Sequence, residues 1–474
     1  MKVRTRFAPS PTGYMHVGNL RSALFGYLVA KHDDGDFILR IEDTDQTRLV
    51  EEGIDFIYDT LDICGIKIDE GPKQGGNYGP YVQSERLDIY NKYARELVEK
   101  GEAYYCFCTE EELKEKREEA ELMNVPFMYD GKCRNISLEE AEERIKKGEP
   151  YVIRQKMPKE GKTSYTDMVY GDIEIDNSVM EDQILIKSDK FPTYNFANVV
   201  DDHLMDINVV MRGNEYLSST PKYLLLYKAF GWESPLYIHL PHIVKEGGKK
   251  LSKRSGDASF MDLYNDGYLV DAIINYLTLL GWSPKDNNEF YTLDELVKVF
   301  DYKDINRSPA VYDIKKLRWF NSHYIKEMDI EKFKTWITKF IDKDKYDLSK
   351  KSKEWLDVFF TIYQDHISYG KEINDELSLF IKDKLELTDE MKEFMDNEDA
   401  KRTVEVFKEE CNNLSDFNPD SLRELINTVK EKSGNKGKML YMPIRIVTTG
   451  LMHGPELPET LFLVGKDKIL ERLK

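Results

Sequence analysis

The sequence predicts an α/β fold that gives way to an all-helical carboxyl-terminal region, and three observations carry that expectation. An alternating segment, residues 2–8, is followed by a helical repeat and then a second short apolar run, all within the first 41 residues. Apolar strands and helices of the same character return near Asp182 and continue to about residue 245. Past residue 320 the pattern is almost wholly helical and charged, as in Glu327 to Lys345 and Asp389 to Lys408.

The first of these segments ends at Pro9, which has no N–H for a sheet ladder, so a strand followed by a stiff loop is expected. From Gly18 onward Leu20, Ala23, Leu24, Tyr27 and Leu28 recur at helical spacing, and Gly35 supplies a stop. Phe37 to Ile41 reads as the next strand. Strand, helix, strand predicts a βαβ unit with a parallel sheet, whose strand-end loops are the usual ligand sites of such folds. From about residue 95 the texture changes to a cysteine-containing strand and two helices opened by Thr109-x-x-Glu112 and Ser137-x-x-Glu140, both with capping-box spacing. This stretch reads as an insertion.

A chain of 474 residues exceeds one ordinary core, and a length prior gives about three or four domains. Hydrophobic content of 41% and charged content of 33% fit a globular protein, and no window approaches the ~18 consecutive apolar residues of a membrane span. No export signal opens the chain, and five cysteines, at 64, 106, 108, 133 and 411, are too few for a disulfide framework, so a reducing cytoplasm is expected. The net charge of −19 argues by itself against a phosphate-bearing partner. Local basic sets run the other way: Lys245, Lys249, Lys250, Lys253 and Arg254; Lys315, Lys316 and Arg318; Lys432, Lys436, Lys438 and Arg445. Any one of them alone is indistinguishable from a solvated face.

Three segments bear on chemistry. The first, Arg6 through Asn19, reads as strand, proline-stiffened loop and helix start, where free N–H groups and the helix dipole favour an anion by ~0.3–1 kcal/mol. His16 at that entrance is placed to donate to a phosphate, and Gly18 lets a flat base approach the backbone. A lone His-x-Gly is more often an ordinary turn histidine. The second segment is Arg40-Ile41-Glu42-Asp43-Thr44-Asp45. The third, Lys250-Leu251-Ser252-Lys253-Arg254, sets three cations beside Gly247 and Gly248, as in a mobile loop that clamps charge on a transferring phosphoryl group.

Together these segments resemble the HIGH and KMSKS signatures of class I aminoacyl-tRNA synthetases, and "RFAPSPTGYMHVGN" with "RIEDTD" is similar to the bacterial-type glutamyl-tRNA synthetase family. The likeness continues through "KSDKFPTYNFANVVDDHLM", "RGNEYLSSTPKYLLLYKAFGWE" and "GKMLYMPIRIVTTGLMHGPEL", so it spans nearly the whole chain. The resemblance implies a Rossmann catalytic domain (1–94 and 191–245) split by an α+β acceptor-stem insertion (95–190). A stem-contact region carrying the KMSKS-like loop (246–322) and an all-α anticodon-binding domain (323–474) follow. It implies activation of L-glutamate with ATP and Mg²⁺, then transfer to tRNA-Glu, and leaves tRNA-Gln open as a second partner. A monomer with no membrane contact is expected. Carried over residue by residue, it puts His16, Gly18, Asn19, Glu215, Lys250, Leu251, Ser252, Lys253 and Arg254 at ATP, with His16, Gly18, Lys250 and Lys253 catalytic. Arg6, Ala8, Ser10, Glu42, Tyr194, Asn198 and Arg212 fall around glutamate. Tyr194 and Asn198, four apart, would share a helix face.

Two positions depart from the signatures: Asn19 stands for a histidine and Arg254 for a serine. Cys106, Cys108 and Cys133 resemble a zinc site of the family's insertion, with Asn135 where histidine is usual. Asparagine is a poor zinc ligand, so zinc is expected absent or weakly held unless another donor such as Tyr129 serves, and buried free thiols are the competing reading. Rival readings are a glutamyl-queuosine tRNA-Asp synthetase, which lacks the helical region, a silent tRNA-binding paralogue, which would have lost His16, Lys253, Arg6 or Arg212, and another nucleotidyltransferase with a similar phosphate loop.

Overall fold

In the computed structural model, residues 2–45, 47, 49–249, 251, 259–286, 288–381 and 385–474 are described. The chain divides into two compact units, residues 1–261 with 274–313 and residues 262–273 with 314–474.

In the first unit β1 (Arg4–Phe7) leads through the Pro9 and Pro11 loop into α1 (Val17–His32) and back to β2 (Asp36–Leu39), which pairs with β1 in parallel register from Arg4↔Asp36 to Phe7↔Leu39. The predicted βαβ unit is therefore present. Every residue of α1 from Ala23 to Ala30 is buried, as expected of a helix covered on all sides. Its stop works differently from the expectation. Asp34, not Gly35, takes the left-handed backbone at φ 50°. Gly35 is needed for close approach, since a Cβ there would lie 2.3 Å from the Val3 carbonyl oxygen and 2.8 Å from that of Ala30.

Next come α2 (Gly53–Ile63), α3 (Leu87–Glu99) and β3 (Ala103–Cys106). The helices α4 (Glu110–Leu122) and α5 (Leu138–Lys146) precede β4 (Val152–Gln155), β5 (Lys162–Asp167), β6 (Gly171–Asp176) and β7 (Ile184–Ile186). Thr109 and Glu112 form the full reciprocal capping box at α4, whereas at α5 Ser137 accepts from Glu140 N without a recorded return bond. Strands β3, β4 and β7 make one small antiparallel sheet. The β5–β6 hairpin, although it lies within the stretch read as an insertion, instead joins the main sheet.

After α6 (Tyr194–Leu204), β8 (Val209–Gly213), α7 (Thr220–Phe230) and β9 (Leu236–Leu240), that sheet has the order β6-β5-β9-β8. The β8–β9 pair is parallel, with Arg212 opposite His239, and Asp167 at the end of β5 pairs with Tyr237. On its other side β8 runs beside β1, where Asn208 N donates to the Arg4 carbonyl at 3.2 Å. Strands β1, β8 and β9 thus end near one another and set the place of the cavity described below.

The second unit is helical around Trp355, Phe359, Tyr363, Phe380, Phe407 and Leu461. The long helical stretches predicted from charge pattern are each broken by a cap. Asp329 opens Ile330–Ile337 and accepts from Glu331 and Lys332 N, and Asn397 separates Asp389–Met395 from Glu398–Asn413. No helix among the described residues is long and apolar enough to cross a membrane.

Because only backbone carbonyls face Gly35, no flexible side chain can yield to a larger residue. Gly35→Ala should lower stability by about 1–3 kcal/mol, the range for forced overpacking, read as a lower urea midpoint for the first unfolding step; an unmoved midpoint would refute the close-approach account.

Candidate functional site

Arg6, Ala8, Ser10, His16, Gly18, Asn19, Glu42, Tyr194, Arg212, Glu215 and Leu251 all line one cavity of about 490 Å³. Of the other predicted residues, Lys250, Ser252, Lys253 and Arg254 lie outside the described residues. Asn198 is the exception among those described. It is 2% exposed, does not line the cavity, and donates its side-chain amide to the Tyr194 and Asn195 carbonyls of its own helix. An asparagine inside a helix competes for backbone groups in this way, which spacing alone does not reveal.

The cavity runs from the start of α1 to a group of buried arginines and acids. At the helix end, His16 is the N-cap of α1 and its Nδ1 accepts from Gly18 N at 3.1 Å. An accepting Nδ1 leaves the proton of a neutral ring on Nε2. A Cβ at Gly18 would come no closer than 3.4 Å to any protein atom, so packing does not demand this glycine. Arg21, one turn further on, is fixed by the Leu280 carbonyl at 2.8 Å and by the Pro241 carbonyl.

At the other end two arginines have opposite circumstances. Arg6 donates from Nε and Nη2 to the two carboxylate oxygens of Asp202, at 3.0 and 3.2 Å. Asp202 also accepts from Arg40 Nη1 at 2.7 Å, and Arg40 Nη2 reaches Glu42 at 3.1 Å. The neighbouring Asp201 takes Arg86 Nε at 2.7 Å, Tyr90 at 2.8 Å and Gln83 at 2.9 Å. Three buried arginines, Arg6, Arg40 and Arg86, thus face three buried carboxylates, Glu42, Asp201 and Asp202. Among the described residues Arg212 bonds no carboxylate: Nε donates to His239 Nε2 at 3.1 Å, Nη2 to Thr220 at 2.8 Å, and the buried Nη1 meets no partner among them. Its guanidinium carbon lies 5.0, 4.7 and 5.2 Å from the ring centres of Tyr216, Tyr223 and Tyr237, faces that attract a cation.

The two acids beside Arg40 titrate in opposite directions. Burial disfavours the Asp202 carboxylate, but Arg6 and Arg40 outweigh burial and hold it below the ordinary range. For Glu42 burial wins against Arg40 and Arg6 and raises it to about 7. Between its ordinary value of 4.5 and about 7 the native protein holds the extra proton, so Glu42 makes the fold less stable as pH rises through that window. A cation bound beside it would relieve this cost.

Residues 2–319 match the class I tRNA synthetase (E and Q) catalytic-domain family, and residues 329–474 match the anticodon binding domain family. The chain belongs to the class I tRNA synthetases of the E and Q group. The glutamate–tRNA ligase of Clostridium novyi is 49% identical over 488 aligned positions, covering 100% of this chain and 97% of that one. That of Clostridium botulinum strain Hall is 50% identical over 481, with the same coverage. A crystal structure of a glutamate tRNA ligase from Elizabethkingia meningosepticum in complex with its amino acid superposes with a TM-score of 0.86 at 34% identity, over 100% of this chain and 98% of that one. The glutamate-tRNA synthetase structure from Elizabethkingia anophelis gives 0.88 at 34%, over 100% and 99%.

This synthetase carries a second cluster away from the cavity. Cys106, Cys108 and Cys133 have sulfurs within 4.8 Å of one another. Asn135 is exposed, and the side chain that lies against the sulfurs is Tyr129, whose hydroxyl is 3.3 Å from Cys106 Sγ and 3.7 Å from Cys108 Sγ. The Cys133 thiol, with burial opposing, draws Cys106 well below the ordinary thiol value. Sequence reasoning named Arg40 only as part of a motif, without a role, and passed over the roles of Arg86, Asp201, Asp202, Asp167 and His239. The readable signal was a charged residue inside an apolar run, as in Phe37-Ile38-Leu39-Arg40 and Val199-Val200-Asp201-Asp202.

Asp202 is the shared partner of two buried guanidinium groups, so Asp202→Asn should destabilise this synthetase by about 3–5 kcal/mol at neutral pH. Because the Asp202 pKa is depressed, the native protein keeps that stabilisation down to about pH 4 and loses it only as pH falls through the folded value. Chemical denaturation at pH 7 and pH 3 checks both statements; a variant as stable as the parent at pH 7 would refute the first, and equal parent stability at the two pH values the second.

Proposed function

We propose that the chain is a glutamate–tRNA ligase, activating L-glutamate with ATP and transferring it to the 3′ end of tRNA-Glu. The observation that carries this reading is the cavity that joins the start of α1 to a buried arginine, Arg212, lacking any bonded carboxylate. Glutamate has two carboxylates and one ammonium, and its net negative charge suits that cation.

In the proposed reaction a glutamate α-carboxylate oxygen attacks the α-phosphorus of ATP, and the bond to the bridging oxygen breaks to release pyrophosphate. The tRNA terminal hydroxyl then attacks the adenylate carbonyl and AMP leaves. Mg²⁺ accompanies the ATP phosphates. No enzyme nucleophile is required, because positioning and cations that meet developing charge supply the acceleration. His16, through Nε2–H, Gly18, Asn19, Glu215 and the loop Lys250, Leu251, Ser252, Lys253 and Arg254 are assigned to ATP, with His16, Gly18, Lys250 and Lys253 the catalytic set. Arg6, Ala8, Ser10, Glu42, Tyr194 and Arg212 are assigned to glutamate, with Glu42 on the ammonium and Arg212 on the side-chain carboxylate. Asn198, whose amide donates to its own helix, is assigned to glutamate beside Tyr194. The segment 95–190 is assigned to the acceptor stem, 246–322 to stem contact and 323–474 to the anticodon. A monomer is expected, and charging of purified tRNA-Gln beside tRNA-Glu decides whether both are substrates.

We further propose a structural zinc held by Cys106, Cys108, Cys133 and Tyr129. Zinc–sulfur bonds of ~2.3 Å in a tetrahedron put sulfurs ~3.8 Å apart, and Cys108 and Cys133 stand at 3.7 Å. The depressed Cys106 thiol supplies the anionic donor that zinc requires.

Pyrophosphate exchange at saturating tRNA tests the activity. It should depend on glutamate and respond poorly to glutamine. Arg212→Ala should raise the glutamate KM at least about tenfold, from the ~1.5–3 kcal/mol of a charged hydrogen bond; exchange that runs equally on glutamine would sink the reading. For the metal, elemental analysis of chelator-free protein should find one zinc per chain, and Tyr129→Phe should lose it to chelator faster than the parent. Zinc-free parent protein would overturn that site.

A further inference from the structure

We propose that Asp167 and His239 are a positioning pair that aims Arg212 at the substrate's side-chain carboxylate while leaving its charge uncancelled, and so determine the preference for glutamate over glutamine. The proposal rests on the assignment of Arg212 to that carboxylate.

The geometry begins with strand register. Arg212 on β8 and His239 on β9 are direct cross-strand partners, so their side chains leave the same face of the sheet side by side. Asp167 at the end of β5 is next in line, because β5 pairs with β9 at Asp167↔Tyr237. The Asp167 carboxylate accepts from His239 Nδ1 at 2.7 Å and from the N–H groups of Val169, Tyr170 and His239 at 3.0, 2.9 and 3.2 Å. A carboxylate only accepts, so Nδ1 carries the ring proton. Arg212 Nε only donates, so the His239 Nε2 that meets it at 3.1 Å must offer its lone pair. One tautomer, neutral, satisfies both contacts. Thr220 completes the hold: it accepts from Arg212 Nη2 at 2.8 Å and donates to the Tyr216 carbonyl at 2.8 Å. Nη1, the arginine nitrogen left without a partner, belongs to a side chain that lines the cavity.

A carboxylate in place of His239 would hold the guanidinium as firmly, as Asp202 holds Arg6 through two bonds. It would also fill the fork and cancel the charge. A neutral imidazole between Asp167 and Arg212 fixes direction without either effect. Glutamine has nearly the shape of glutamate and differs in charge and in one donor group, so a cation kept unneutralised is what can tell them apart. Protonating His239 would turn the acceptor into a second cation beside Arg212. The groups facing it are Asp167 and Tyr165 from β5, Arg212 from β8, Glu215 from the turn after β8, and Tyr237 two residues back on β9. Burial, against the pull of Asp167 and with Arg212 adding, lowers the His239 pKa below its usual 6.5. The neutral ring therefore prevails at pH 7.

The test is tRNA-dependent pyrophosphate exchange by the full chain from pH 5.5 to 8.5, with glutamate and with glutamine, for the parent, Arg212→Ala, His239→Leu, His239→Gln and Asp167→Asn. His239→Leu and the nearly isosteric Asp167→Asn should each raise the glutamate KM at least about tenfold, the scale of one charged hydrogen bond, with kcat within a few-fold and a smaller glutamate-to-glutamine ratio. His239→Gln, which still offers an oxygen to Arg212 Nε, should recover most of the loss. The parent KM should rise in two steps as pH falls, one near 7 from Glu42 and one below 6.5 from His239, and only the lower step should vanish in His239→Gln. If Arg212→Ala leaves the glutamate KM unchanged, the assignment of Arg212 fails and this proposal with it. If Arg212→Ala raises KM but His239→Leu and Asp167→Asn do not, the positioning proposal alone is overturned. Equal losses in kcat and in the ATP KM, or no rescue by glutamine at 239, would mark a merely structural pair and also overturn it.

Discussion

Buried guanidinium groups demand counter-charges: in the first unit Arg4, Arg6, Arg40 and Arg86 bond carboxylates, whereas Arg21, Arg154 and Arg212 bond none among the described residues. An arginine taken out of water without a partner costs several kcal/mol, so Arg6, Arg40 and Arg86 fix where α6 must lie, because Asp201 and Asp202 on it are their partners. The position of α6 in turn seats Tyr194 at the cavity wall. Arg212 departs from that rule. Its partners are a neutral ring, a hydroxyl and three aromatic faces, which hold it in place while leaving it in want of an anion. Strain of this kind persists where a ligand relieves it, and the raised Glu42 is its acidic counterpart across the same cavity. The cavity thus carries on its walls a cation without a bonded carboxylate, Arg212, and a reluctant anion, Glu42.

Local rules made much of this legible from the chain. The βαβ unit followed from alternation, a proline and a helical repeat, and the Thr109 capping box from two residues at fixed spacing. Most cavity residues emerged because they fall within short motifs, Arg6 to Asn19 above all, that are legible one at a time. What escaped were contacts whose partners lie far apart. Arg6 and Asp202 are separated by 196 positions, and Asp167 and His239 by 72, and no periodicity links them. The hydrogen bonds of Asn198 to its own helix escaped for the opposite reason: the partners are adjacent, but spacing does not say that a side chain able to bond its own turn will do so.

The cysteine cluster shows a similar limit. Counting along the chain pointed to Asn135, two residues after Cys133, whereas the fold brings Tyr129 back from four residues before it. The Tyr129 hydroxyl also accepts from Cys133 N at 3.0 Å, and Arg154 lies 4.0 Å from its ring centre, so the ring is locked before any metal is considered. A spacing motif names residue types, while the turn between them decides which atoms meet.

The distance between Arg6 and Asp202 has a bearing on how the chain is made. At about 5–20 residues per second, roughly 10–40 s of synthesis separate the arginine from its carboxylate, 196 positions downstream. During that interval the emerging β1–α1–β2 segment carries two cations it cannot yet bury, and its sheet has no β8 to rest against. The β3–β4–β7 sheet has all its strands by Ile186, but its core residues Ala103, Ile153, Leu185 and Ile186 are buried in one cluster with Phe196 and Val200 of α6 and Tyr223 of α7. The middle of this protein therefore waits on α6 as its beginning does, the one for an apolar cover and the other for counter-charges, and both halves close when that single helix arrives.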